Sequence, residues 1–109
     1  MNQETQQQLE QLQMLEQTLQ NTIMQKQNFQ GQILEIENAV TEVAKTKEQV
    51  YKQVGPIMIA TPAAELKKEL ENKKEVLNLR LQNLDKQEKK LKEKFETLQQ
   101  ELMKHMPKE

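Results

Sequence analysis

Apolar residues recur in alternating three- and four-residue steps along most of this chain. In its first half the spacing picks out Leu12, Leu15, Leu19, Thr22, Lys26, Phe29, Ile33, Ile36, Val40, Val43, Lys47 and Val50, nine of the twelve being apolar. That period predicts a helix over about residues 4–48 with a narrow coiled-coil seam. In the second half the same steps pick out Leu70, Lys74, Leu77, Leu81, Leu84, Glu88, Leu91, Phe95, Leu98, Leu102 and His105, eight of eleven apolar, which predicts a second helix over about residues 62–106. Between the two the residue types change to Val50-Tyr51-Lys52-Gln53-Val54-Gly55-Pro56-Ile57-Met58-Ile59-Ala60-Thr61. β-Branched and aromatic residues around Gly-Pro predict a β-hairpin over about residues 50–61.

Gly55-Pro56 suits a two-residue turn of type II′, with glycine at the positive-φ position and proline at its fixed φ. Thr61-Pro62 reads as a helix start, a hydroxyl N-cap followed by proline at the first helical position, although Glu65 falls one place late for a capping box. Pro107 closes the second helix. A chain folded back at this turn pairs Leu12 with Leu102, Leu15 with Leu98, Leu19 with Phe95, Phe29 with Leu84, Ile33 with Leu81 and Ile36 with Leu77, each an apolar match. It also sets Lys26 opposite Glu88, either as an ion pair that fixes register or as two side chains that snorkel outward. Arms of this length extend on the order of 60–70 Å at ~1.5 Å per residue.

The expected fold class is therefore mainly α, a single unit built as a long antiparallel two-helix coiled coil joined by one β-hairpin. Composition agrees: 109 residues hold 30% charged side chains, two Gly, three Pro, no Cys and no Trp, too little apolar mass for a globular core. Charge is uneven, with six acids against Lys26 in residues 1–44 and twelve bases against ten acids in residues 63–109, which mildly favours pairing of the two arms. The absence of cysteine removes disulfides and thiolate chemistry and fits a reducing interior. The polar start lacks a signal-peptide core, and the longest aliphatic run, Ile57 to Ala60, is far too short to span a membrane, so a cytoplasmic location is expected.

A lone two-stranded hairpin is marginal in water, and Ile57-Met58-Ile59 is apolar on both faces. It either plugs down onto its own coiled coil or joins strands of other chains; the thin seam offers little surface for the first. Val50, Tyr51, Val54, Gly55, Pro56, Ile57, Met58 and Ile59 are accordingly the candidate oligomer interface.

With its Tyr-Lys-x-Val-Gly-Pro stretch at residues 51–56, the aliphatics that follow, Gln-Lys-Gln at 25–27 and Lys-Gln-Glu-Lys-Lys-Leu at 86–91, the chain resembles the beta-type subunits of prefoldin over essentially its whole length. One hairpin in place of two points to the beta class. The resemblance implies a hexamer of two alpha-type and four beta-type subunits whose hairpins assemble into an intersubunit β-barrel platform. It further implies that the coiled-coil tips hold non-native polypeptides without ATP or other cofactor and pass them to a group II chaperonin.

At the far end of the arm lie Leu9, Leu12, Met14 and Leu15 from the first helix and Leu98, Leu102, Met103 and Met106 from the second. Met14 and Met103 fall off the seam, and methionine repacks readily against varied partners, which suits loose hydrophobic capture. For Leu12, Leu15, Leu98 and Leu102 the competing reading is that they are the last core layers. Several weak tips around one cavity would combine by multivalency and still release without nucleotide. Gly31 and Gly55 stand alone, so no phosphate loop is expected, and Gly31 is either a soft point in its helix or a tolerated surface glycine. His105, the sole histidine, has no nucleophile or ligand set around it, so neither an enzyme nor a metal site is expected. Lys86, Lys89, Lys90, Lys92 and Lys94 alternate with Asp85, Glu88, Glu93 and Glu96 and lack aromatic partners, which argues against nucleic-acid binding. A static coiled-coil scaffold without client capture is the alternative function.

Overall fold

A computed structural model describes residues 2–105. Their order is α1 (Gln3–Ala44), β1 (Gln49–Val54), β2 (Ile57–Pro62) and α2 (Ala63–Lys104). The chain divides into two compact units, a distal one of residues 2–27 with 82–105 and a hairpin unit of residues 28–81. In each, a stretch of α1 packs antiparallel to a stretch of α2.

In the hairpin unit the core is Ile33, Ile36 and Leu77, all buried, with Phe29, Val40, Leu70 and Leu81 packed around them. These are seam positions, so one stripe of each helix is covered and the rest stays in water. β1 and β2 form an antiparallel ladder in the register Val50↔Thr61, Tyr51↔Ala60, Lys52↔Ile59, Gln53↔Met58 and Val54↔Ile57. Gly55 carries φ of 59° and no non-glycine residue has positive φ among the described residues, which fits type II′ and rules out type I′ at Gly55-Pro56.

Both helix boundaries at the hairpin differ from the spacing-based expectation. α1 stops at Ala44, where Lys45 and Thr46 donate to the carbonyls of Glu42 and Val43 in a tightened last turn. Lys47 is thus a linker residue and Val50 a strand residue; neither belongs to the helical seam. The cause is the ladder, which begins at the Gln49↔Pro62 pair and leaves only residues 45–48 to turn the chain. On the other side Thr61 and Pro62 complete β2 and do not start α2, which opens at Ala63. Pro62 can end the strand because it has no N–H to place in the ladder. Ala63 is buried and its N–H donates to the Glu48 carbonyl at 3.0 Å, closing the base of the hairpin.

In the distal unit the seam runs through half-buried Leu12, Leu15, Leu19, Leu91, Phe95 and Leu98 to buried Leu84 and Leu102. Asn2 caps α1: its Oδ1 accepts from the Thr5 backbone N–H at 2.8 Å and from the Thr5 hydroxyl at 2.6 Å. α2 ends at Lys104, and Pro107 lies outside the described residues.

Candidate functional site

The hairpin's register sorts its side chains into two faces. Val50, Lys52, Val54, Ile57, Ile59 and Thr61 share one, while Tyr51, Gln53, Met58 and Ala60 share the other. Near the base of the first face Val50, Lys52 and Thr61 are half-buried. There Lys52 Nζ meets Glu69 Oε1 of α2 at 2.5 Å, which ties the strand to the helix. Toward the turn the cover thins. Tyr51 is 66% exposed, Met58 61% and Ile57 60%, with Val54 and Ile59 close behind. Both strands are also edge strands, with backbone groups on their outer sides left unpaired. Apolar side chains on both faces together with two free edges make a surface shaped for further strands.

The seam of the distal unit is broken by polar residues. Thr22 is buried, its hydroxyl returned to the Thr18 carbonyl at 2.9 Å. One turn on, Lys26 Nζ lies 2.5 Å from Glu88 Oε2 and 2.7 Å from Asp85 Oδ1, and Glu88 Oε1 takes a second ammonium from Lys92 at 3.1 Å. The Lys26 and Glu88 side chains are only 20% and 13% exposed. Hydrogen bonds that the Lys26 ammonium donates to Asp85 and then Glu88 hold it above its ordinary pKa against partial desolvation. Bonds from Lys26 and then Lys92 hold the Glu88 carboxyl below its ordinary value. Asp85 was not foreseen as a member of this cluster, although its place one turn before Glu88 puts it on the same side of α2.

At the far end the eight apolar residues singled out from the sequence separate by exposure. Met14 and Met103 are 69% and 67% exposed, free surface groups on α1 and α2. Leu9, Leu12, Leu15 and Leu98 are half-buried along the seam. Leu102 is buried to 5% exposure, so it is a core residue and not a surface contact: its seam position turns it into the helix interface. Met106 lies outside the described residues.

Among the described residues there is no group of acidic, His or Cys side chains able to hold a metal ion, and no helix is long and apolar enough to cross a membrane. Exposed Leu34, Val76 and Leu79 on the outer helix faces of the hairpin unit were not anticipated, since a heptad reading attends only to the seam.

Comparison with known proteins gives a consistent picture. The family model for the prefoldin subunit matches residues 6–109. The prefoldin beta subunit of Thermococcus onnurineus is 41% identical over 96 residues, covering 86% of this chain and 83% of the relative. That of Archaeoglobus fulgidus is 38% identical over 94 residues, covering 84% and 81%. The crystal structure of the prefoldin beta subunit from Thermococcus strain KS-1 superposes with a TM-score of 0.88 at 34% identity, covering 97% of this chain and 96% of that one. Seam, single hairpin and matched residues together establish that the chain belongs to the prefoldin subunit family, in its beta-type branch.

Proposed function

We propose that the chain is one subunit of an ATP-independent holding chaperone. Its hairpin joins the hairpins of alpha-type and further beta-type subunits in a β-barrel platform, as a hexamer of two alpha-type and four beta-type chains. The distal ends of the coiled coils grip non-native polypeptides and pass them to a group II chaperonin in the cytosol.

The observation that carries this reading is the hairpin with apolar side chains exposed on both faces and both edges open. Backbone N–H and C=O groups on such edges and roughly 25 cal/mol per Å² of exposed apolar area both favour burial against sister strands. Exposed Met14 and Met103 supply soft, adaptable contacts at the other end, each weak enough to break without nucleotide. Lys26 and Glu88 fix the register that keeps the two helix ends level.

Aggregation of a chemically unfolded protein on dilution tests the reading. The chain assembled with an alpha-type subunit is expected to suppress light scattering in proportion to its concentration and without ATP. Full scattering in the presence of a formed hexamer would leave a static scaffold as the function.

A further inference from the structure

Two neighbouring grooves on the distal unit share Lys90 and Lys94 as lining residues. One is bordered by Thr18, Thr22, Gln87 and Leu91, the other by Leu15 and Leu98 among others. Thr22 is a short residue at the seam position between Leu19 and Lys26, and the first groove is a notch beside it and Leu91. Its two hydroxyls are spent internally, since those of Thr18 and Thr22 donate to carbonyls of their own helix at 2.9 Å, and the Gln87 amide is the one uncharged polar side-chain group left to face an incoming group. Apart from Gln87 the floor of the notch is apolar toward an incoming group.

Its rim is cationic. Lys90 and Lys94 stand one turn apart on α2, and among the described residues neither has a carboxylate within ion-pairing distance; Lys86 and Lys89 are likewise unpaired but do not line either groove. No acidic residue lines the notch at Thr22; Glu93 and Glu101 line the outer groove. The α1 residues that line the two grooves, Gln11, Leu15, Thr18 and Thr22, are uncharged. An apolar notch beneath two unpaired ammonium groups is complementary to an aliphatic side chain flanked by carboxylates.

We propose that this flank of the distal unit receives acidic, leucine-type segments of a polypeptide, with the aliphatic side chain beside Thr22 and Leu91 and the carboxylates at Lys90 and Lys94. This rests on the holding function above and names the segment chemistry that the chain prefers.

Fluorescence anisotropy on the full-length assembled chain tests it, using a short labelled peptide of Leu and Glu, its Leu/Lys counterpart and a Ser/Glu counterpart. The Leu/Glu peptide is expected to bind about tenfold more tightly than the Leu/Lys peptide. The pair Lys90→Glu and Lys94→Glu is expected to reverse that order, while the equal charge change Lys86→Glu with Lys89→Glu leaves it. Thr22→Leu, which fills the notch and completes the seam, is expected to weaken both leucine peptides while raising the melting temperature. Equal binding of the two leucine peptides, Ser/Glu binding as tight as Leu/Glu, or no binding by any peptide would overturn the proposal. Suppression of aggregation by the same assembly is read separately, so losing the groove leaves the holding function standing, and losing suppression removes the holding function itself.

Discussion

Lys26 on α1 and Glu88 on α2, 62 residues apart in sequence, meet at 2.5 Å inside a seam built mainly from leucine and phenylalanine that also holds buried Thr22. Half-buried ion pairs of this kind seldom add much stability relative to apolar residues, because desolvation offsets the attraction. Their better attested use is to select one register, since any slip leaves a charge facing leucine. Lys26→Leu and Glu88→Leu are each expected to lower the melting temperature, and the double variant to melt above both singles. A double-mutant cycle followed by circular dichroism measures this; additive losses would show that the two side chains do not act as a pair.

The same cluster sets a pH dependence. Glu88 has its folded-state pKa below the ordinary 4.5, so its contribution is complete above about pH 4.5 and is lost as pH falls through the lower folded value. Lys26 sits above 10.5, so its contribution is complete below that pH and is lost as pH rises through the folded value. Wild type is expected to melt higher than Glu88→Gln at neutral pH, with the gap closing on strong acidification. A gap that stays constant into acid would contradict the assignment.

The two glycines are expected to respond oppositely to alanine. Gly31 lies within α1 with open space around an added Cβ, so Gly31→Ala should stabilise by about 1 kcal/mol through helix propensity. Gly55 has equal space but φ of +59°, so Gly55→Ala should cost roughly 1–2 kcal/mol from the backbone alone. Chemical denaturation of the two variants, with opposite shifts in midpoint, checks the pair.

At the distal end Met14→Ser and Met103→Ser remove exposed apolar surface without touching the seam. Folding and assembly are expected to be unchanged while client holding weakens, most in the double variant. Leu102→Ser, by contrast, should lower the melting temperature, since that side chain is buried. Undiminished suppression of aggregation by the double methionine variant would remove those two residues from the grip.

Much of this architecture was legible because one period governs it. Alternating three- and four-residue steps give both helices their buried stripe, and Val, Tyr and Ile around Gly55-Pro56 announce the strands. What periodicity could not supply is where two patterns compete. Lys47 and Val50 continue the heptad in register, yet the ladder that starts at Gln49 wins that segment. Thr61-Pro62 satisfies the rules for a helix start and still completes a strand, because both residues are paired across the ladder, with Val50 and Gln49. The Asn2 cap had its signal in an Asn three residues before Thr5, which the heptad search passed over. Lys52–Glu69 had none, since heptad spacing carries no information on how a strand leans against the helix that follows it.

The hairpin's dependence on sister strands is the claim beneath all of these. Native mass spectrometry of the full-length chain with and without an alpha-type subunit, for wild type and for Ile57→Asp, tests it most directly. Wild type is expected to form a hexamer with the alpha-type chain, and Ile57→Asp to lose it while keeping its helical content. A wild-type chain that stays monomeric under both conditions, or an Ile57→Asp variant that assembles as well as wild type, would contradict the account.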